Sequence, residues 1–143
     1  LADFEVHLAD PEVIAGPRGM RMTYVATGGT VRGERFNAEI LPGGGDWIVV
    51  GSDYRPRLDI RATLRCEDGS LVHLSSPGVI DAPRELLAEL AAGGAIAEAD
   101  MYARIAPKFE TSAEHLAWLS TRVFVGYAAL APGRITYRVH EVL

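Results

Sequence analysis

Apolar and polar residues alternate along much of the chain, which is the pattern of β-strands with one face buried. The alternation is strictest over residues 58–65. Its apolar positions are Leu58, Ile60, Ala62 and Leu64, and its polar positions are Asp59, Arg61, Thr63 and Arg65. Residues 2–8 show the same period. Similar runs predict further strands near residues 20–26, 35–41, 47–51, 71–75, 101–106, 122–130 and 135–142, with a loop over residues 11–19 and a turn at Gly28-Gly29 that closes the strand 20–26.

Two short segments have a helical pattern instead. In residues 82–92, Leu86, Leu87 and Leu90 recur at helical spacing. Asp81 is in position to cap this helix at its N-terminus. The second segment, residues 112–120, begins beside Thr111 and Glu114, which match a capping box. We therefore expect one short helix near 82–92 and a helical turn near 112–120.

Mostly short connections between strands favour an all-β fold, a single-domain antiparallel β-barrel meander of about eight to ten strands over residues 1–143. Closure into a barrel removes the exposed sheet edges. With 48% hydrophobic residues, a chain of this length can bury one sizeable core. A sandwich of two sheets is the alternative.

A proline followed by three glycines, residues 42–45, predicts a turn, because glycine has the most backbone entropy to lose in a regular element. Asp46 and Trp47 follow directly, and then a strand begins. An acid and an indole at a strand entrance suit the mouth of a barrel pocket, where the acid moves protons and the ring packs on a ligand. The alternative is a hairpin loop whose aspartate caps the turn and whose tryptophan fills the core.

The formal net charge is −5, and no run of basic residues exceeds two. Nucleic-acid binding requires clustered Lys and Arg, so this composition argues against it. No apolar stretch approaches the ~18 residues of a spanning helix, and a membrane role is not expected. Cys66 is the only cysteine, which predicts a reducing, cytoplasmic location. The expected partner is a small-molecule substrate or ligand, and self-association into a homo-oligomer stays open.

Several short motifs along the chain share one order with a known family. They are Gly19-Met20-Arg21, Gly28-Gly29, Leu41-Pro42-Gly43-Gly44-Gly45-Asp46-Trp47, Leu58-Asp59-Ile60-Arg61, Glu67-Asp68-Gly69, Tyr102, Pro107-Lys108-Phe109-Glu110-Thr111, Trp118-Leu119 and Tyr137. In this order the chain resembles the DUF3237 family, also named UPF0311, from about residue 2 to residue 142. The resemblance implies a compact single-domain β-barrel and no settled general activity. The family tends to have Asn where this chain has Ser120.

Asp59 and Arg61 lie two residues apart on one face of the predicted strand 58–65. If that face points outward, the pair is an ordinary solvated surface. If it points into the barrel, the two charges must pair, and Arg61 could hold a carboxylate or enolate oxygen through two hydrogen bonds. The resemblance strengthens the inward interpretation. Arg21 is a second candidate anchor for an anion.

The candidates for proton transfer are Asp46 and Glu110, since a carboxyl group beside apolar side chains such as Phe109 becomes a useful acid or base near neutral pH. Glu110 could equally face water. Tyr102 could donate a proton, although a strand tyrosine is more often part of the core. The motif order adds Trp118. We expect at least five of eight residues around one cavity. These are Asp46, Glu110, Arg61 and Tyr102 as catalytic residues, and Arg21, Trp47, Asp59 and Trp118 as substrate-binding residues.

No metal site and no cofactor are predicted, because the four histidines are far apart and neither a P-loop nor a nucleophile elbow is present. Acids, arginines and aromatics remain. They favour a cofactor-independent enzyme that acts by proton transfer on a small aromatic, polyketide-like or lactone substrate, as an isomerase, cyclase or lyase. The alternative is a non-catalytic small-ligand-binding β-barrel.

Overall fold

The computed structural model describes residues 1–143, which form eleven strands, one α-helix and two 3₁₀ helices. The strands are β1 (Ala2–Leu8), β2 (Glu12–Gly16), β3 (Gly19–Arg32), β4 (Ala38–Ile40), β5 (Gly45–Val50), β6 (Pro56–Arg65), β7 (Leu71–Asp81), β8 (Tyr102–Ile105), β9 (Lys108–Glu110), β10 (Phe124–Ala131) and β11 (Arg134–Glu141). The helix α1 spans Arg84–Ala91, and the 3₁₀ helices span Glu98–Asp100 and Glu114–Thr121.

Eight strands close into an antiparallel barrel in the order β1, β3, β5, β6, β7, β8, β10, β11 and back to β1. All pairings between strands are antiparallel, and the pair β6–β7 joins what would otherwise be two sheet edges. The predicted all-β barrel is therefore confirmed, and the sandwich is excluded because the sheet closes on itself. The apolar face of β6 points inward: Leu58 and Leu64 are buried, whereas Asp59 and Arg61 are exposed.

The segment 41–44 is not the hairpin turn that its glycines predicted. β4 and β5 lie one after the other between the same two neighbours, because both pair with β3 and with β6. Ala26 stays bonded to the segment through its N–H to the Gly44 carbonyl and its carbonyl to the Gly43 N–H. The glycines therefore interrupt one long strand locally without reversing the chain, which is the role of a β-bulge.

Gly28 and Gly29 were also predicted to end a strand, and this prediction is wrong. β3 continues through both residues, which have φ values of +156° and +151°. A Cβ atom at Gly29 would collide with the carbonyl oxygen of Glu5 on the paired strand β1. Glycine is required here because the two backbones approach closely, and not because the chain turns.

β2 and β9 were missed by the sequence pattern. β2 lies in a segment expected to be a loop, and it pairs only with the start of β3. β9 follows β8 after two residues and pairs with β7 in the same register. Pro107, between them, has no N–H to donate, which explains why the ladder breaks into two short strands.

The two ends of the barrel are covered differently. At one end the 3₁₀ helix 114–121 packs over an aromatic cluster, in which Phe109 lies 5.2 Å from Phe124 and 6.1 Å from Phe36 between ring centroids. At the opposite end α1 contributes only half-buried leucines to the core. The guanidinium of Arg84 on α1 lies 4.0 Å from the ring centroid of Tyr54 in the β5–β6 loop.

Both predicted N-caps are absent. The N-cap position of α1 is Pro83, which makes no side-chain capping bond, and Asp81 forms an ion pair with Arg55 at 3.1 Å. The 3₁₀ helix 114–121 starts after Ala113. The Thr111 hydroxyl accepts the Ala113 N–H at 3.1 Å and donates to the Leu71 carbonyl at 2.8 Å. Thr111 therefore ties the loop to β7 and takes no part in a capping box.

Candidate functional site: a buried carboxyl group in the barrel

The barrel encloses a cavity bordered by seventeen residues, thirteen of them hydrophobic. The volume open to the centres of water molecules is about 50 Å³, which is room for a few waters. Asp46 is the single acidic residue at this cavity. Arg61 and Tyr137 also border the cavity. The site is therefore an apolar chamber with one carboxyl group.

Asp46 is placed by the middle of the β3–β5–β6 sheet, opposite Tyr24 on one side and Ile60 on the other. Only 4% of the residue is exposed. Its Oδ1 accepts the backbone N–H of Asp59 at 2.9 Å, and Asp59 has no ladder partner of its own on β5. Its Oδ2 is buried without any hydrogen-bond partner, and no other buried side-chain oxygen or nitrogen in the structure lacks one. Half of the carboxyl group is thus anchored and half is free.

Burial raises the pKa of Asp46 to about 7. The hydrogen bond from the Asp59 N–H partly offsets this increase, and the nearby Asp59 carboxylate adds to it. A carboxyl group with this pKa exists in both protonation states near neutral pH, so it can give or take a proton. Burial, helped by the charge of Asp46, also raises the pKa of Tyr137 and that of Tyr24. Both phenols therefore keep their O–H groups as hydrogen-bond donors at neutral pH.

Asp59 and Arg61 lie on the outer surface, which corrects the inward interpretation. Their side chains are 51% and 62% exposed, and Nη2 of Arg61 is 3.3 Å from Oδ2 of Asp59. They border an open surface hollow of about 450 Å³ together with residues of β7 and β9. The physical reason is parity: Ile60 and Ala62 project into the barrel, so their neighbours on the strand must project out of it.

The expected gathering of at least five of the eight candidates around one cavity does not occur. Only Asp46 and Arg61 border the chamber, and Arg61 does so with its guanidinium directed outward into its pair with Asp59. The other candidates are spread over the outer face and one end of the barrel. Their catalytic or binding roles stay predictions.

The remaining candidates each have a different neighbour. Glu110 is exposed on β9 opposite His73, and Arg21 is exposed on β3 opposite Val49.

Three aromatic candidates also lie away from the chamber. Trp47 is 40% exposed and pairs across the sheet with Thr23, while Tyr102 is 54% exposed. Trp118 is half-buried, with the Arg35 guanidinium 3.8 Å from its ring centroid.

Tyr137 and Tyr24 were not proposed as site residues, although the structure sets both near Asp46. Tyr137 lies in an alternating strand and in the motif order, so parity with the buried Val139 could have indicated that it points inward. Tyr24 is recognisable only from its pairing with Asp46 across β3 and β5, and that pairing depends on the tertiary register.

No group of three or more His, Cys, Asp or Glu side chains is arranged to hold a metal ion. None of the helices has the length and apolar character needed to cross a membrane. The predictions of no cofactor and of a cytoplasmic location stay predictions.

The fold and the site together define a closed eight-stranded antiparallel barrel with a buried carboxyl group in an apolar chamber. The family model described as "Protein of unknown function (DUF3237)" matches residues 1–142, and the chain belongs to this family. The resemblance read from the motif order is thereby confirmed.

Relatives and solved structures agree with this assignment. UPF0311 protein RPA1785 of Rhodopseudomonas palustris is 32% identical over 125 residues, which are 87% of this chain and 82% of that protein. Its crystal structure superposes with a TM-score of 0.95 at 28% identity, covering 100% of this chain and 95% of that one. A β-barrel-like protein of Acinetobacter baumannii has a TM-score of 0.82 at 31% identity, covering 99% and 92% of the two chains.

A more distant likeness concerns the fold alone. The crystal structure of an enzyme from Penicillium herquei has a TM-score of 0.62 at 17% identity, covering 97% of this chain and 90% of that one.

Proposed function

We propose that the protein is a cofactor-independent enzyme in which Asp46 moves a proton on a small organic substrate bound in the barrel. The observation that carries the proposal is the free Oδ2 of a buried carboxyl group whose pKa is raised to about 7 beside an apolar cavity. Carboxyl groups tuned in this way serve as acids and bases in many active sites. That the same fold carries an enzyme in Penicillium herquei supports the proposal by analogy of fold.

The chemistry that fits is proton abstraction next to a carbonyl group. Ionised Asp46 takes a proton from the carbon beside the substrate carbonyl, and the carbon–hydrogen electron pair moves toward the carbonyl oxygen to give an enolate. Protonated Asp46 then returns the proton to the same carbon or to another carbon of the conjugated system. The net result is exchange or isomerisation, with no oxidant or reductant consumed.

The phenols of Tyr137 and Tyr24 are better placed than Arg61 to stabilise the enolate oxygen. Tyr137 borders the chamber, Tyr24 lies opposite Asp46 on β3, and both phenols stay protonated at neutral pH, whereas the guanidinium of Arg61 is exposed and paired with Asp59. Donors fixed in an apolar chamber stabilise developing charge more than donors in water do. With room for only a few waters, the chamber admits at most the reactive carbonyl end of a ketone, lactone or aromatic polyketide beside Asp46.

The test is hydrogen exchange on carbon. A panel of small ketones, lactones and aromatic polyketide-like compounds is incubated with the protein in D₂O, and deuterium uptake is measured by mass spectrometry. We expect enzyme-dependent uptake for one class of compound, with a rate that rises with pH through about 7, because the base must be ionised. Asp46→Asn should reduce the rate by about 10²–10⁴-fold.

Asp3→Asn is the matched control, since it makes the same chemical change on the exposed face of β1 and should leave the rate close to that of the wild type. Equal rates for the wild type and Asp46→Asn would show that another group transfers the proton. Compounds that raise the melting temperature without any exchange or turnover would instead support the non-catalytic ligand-binding barrel.

A further inference from the structure

The strand β2 leaves the barrel and ends as an unpaired sheet edge. It pairs with β3 on one side and with no strand on the other. Four of its five residues are exposed, among them Val13 at 54% and Ile14 at 62%. An exposed strand edge with apolar side chains pairs readily with another strand, because its outward N–H and C=O groups have no partner. We propose that β2 is the interface through which two copies of this chain associate, edge to edge and antiparallel.

Exposed apolar side chains flank this edge on both faces of the sheet, with Ile14, Val25 and Trp47 on one face and Val13 and Met20 on the other. Of the eleven large hydrophobic side chains that are exposed, five lie on β2 and on its neighbours β3 and β5. They are Val13, Ile14, Met20, Val25 and Trp47. A second copy placed beside β2 would extend this sheet across both barrels and cover part of the apolar surface on each side.

The segment around β2 is complementary to itself when it runs antiparallel. With Ile14 on the two-fold axis, Val13 lies opposite Ala15 of the second copy, and Glu12 lies opposite Gly16. Asp10 precedes the strand and Arg18 lies in the turn that follows it, so at each end of the dimer Asp10 of one copy comes near Arg18 of the other and opposite charges meet by symmetry.

These two charged residues are free to make that contact. Both are exposed, and neither forms an ion pair within its own chain. Pro11 and Pro17 flank the strand and cannot donate to a ladder, so they limit the pairing to five residues and select this register. An interface of this length is smaller than that of a permanent dimer, and we expect reversible, concentration-dependent association.

Sedimentation equilibrium of the whole chain, from micromolar to millimolar concentration, tests the proposal. A monomer–dimer equilibrium is expected for the wild type. Ile14→Lys places two like charges on the axis and should weaken the dimer by at least about tenfold. Val123→Lys is the matched control, because Val123 is 67% exposed and lies outside β2, β3 and β5. This variant should dimerise as the wild type does.

A charge exchange tests the register independently of Ile14. Asp10→Arg should weaken the dimer, since it opposes Arg18 of the partner with a second arginine. The double variant Asp10→Arg/Arg18→Asp should restore the wild-type dissociation constant. Circular dichroism and melting temperatures establish that each variant is folded, and the charge exchange decides the matter if Ile14→Lys does not fold. A wild type that stays monomeric throughout, or a dimer unaffected by both Ile14→Lys and Asp10→Arg, overturns the proposal.

Discussion

Replacing Asp46 with asparagine removes the one buried carboxyl group in the structure and should change how stability depends on pH. In the folded protein the pKa of Asp46 is raised to about 7, from an ordinary value of 3.8. Between these two pH values the folded state holds a proton that the unfolded state has lost. The free energy of unfolding therefore falls as the pH rises through this interval, and the loss is complete above pH 7.

The magnitude follows from the size of this difference. A separation of about 3 between the folded and unfolded pKa corresponds to about 4 kcal/mol. In the Asp46→Asn variant, the new side-chain carbonyl oxygen can still accept the Asp59 N–H. Its amide NH₂ group, however, takes the place of Oδ2, where no hydrogen-bond partner is available. Burying these unpaired donors lowers the unfolding free energy by about 1–3 kcal/mol at every pH. Near pH 4 only the cost of the unpartnered amide applies, and the variant should be less stable than the wild type. Near pH 8 the wild type bears the larger cost of a buried, ionised Asp46, and the variant should be at least as stable.

Urea unfolding followed by tryptophan fluorescence at a series of pH values measures this difference. The informative quantity is the unfolding free energy of Asp46→Asn minus that of the wild type, because other titrating groups cancel in it. Asp53→Asn is the control with the opposite sign. The Arg55 N–H and the Arg57 guanidinium hold the pKa of Asp53 below its usual range, so its stabilising effect is lost as the pH falls.

A difference between Asp46→Asn and the wild type that stays constant from about pH 4 to about pH 8 would refute the reasoning. It would mean that Asp46 titrates at an ordinary pH in the folded protein. The proposal of a buried acid–base group would then lose its basis, even if the substitution destabilised the protein.

Four further substitutions test the packing and the outer surface. Gly29→Ala should destabilise the fold by about 2–4 kcal/mol in urea unfolding, because the new Cβ collides with the backbone of β1, whereas Gly43→Ala should cost only about 1–2 kcal/mol for its positive φ. Phe109→Ala should cost about 3–5 kcal/mol, since it empties the centre of the aromatic cluster, and a smaller loss would show that the barrel end collapses around the cavity. Arg61→Lys should change the exchange rate by less than about threefold, because an exposed ion pair contributes little. A larger loss of rate would show that Arg61 takes part in catalysis.

Local pattern in the sequence determined the strands of the barrel wall. The alternation over 58–65 predicted β6, and its apolar side faces the core, as the hydrophobic effect requires. The same pattern, taken alone, left Asp59 and Arg61 on an outer surface. The family resemblance favoured an inward orientation for both residues, whereas in the structure both are exposed to solvent. Periodicity was the better guide here because burying two charges is costly, whereas exposing them costs nothing.

The sequence also singled out Asp46, but only tertiary structure decides its chemistry. Its residue type and its place after three glycines are visible in the chain. Its raised pKa, its free Oδ2 and its neighbours Tyr24 and Tyr137 depend on β3, β6 and β11, which lie far from it along the chain. A pKa depends on desolvation and on nearby charges, and both are properties of the assembled barrel.

Glycine is where local reasoning failed most clearly. The runs at 28–29 and 43–45 were predicted to be turns, because glycine weakens regular structure. In the barrel, Gly29 lets β1 approach β3, and Gly43 and Gly44 allow a bulge within one long strand. The sequence shows that a backbone without side chains is needed at these positions. Whether that need comes from a turn or from a neighbouring strand is decided by contacts between residues distant in sequence, and these exist only once the barrel has closed.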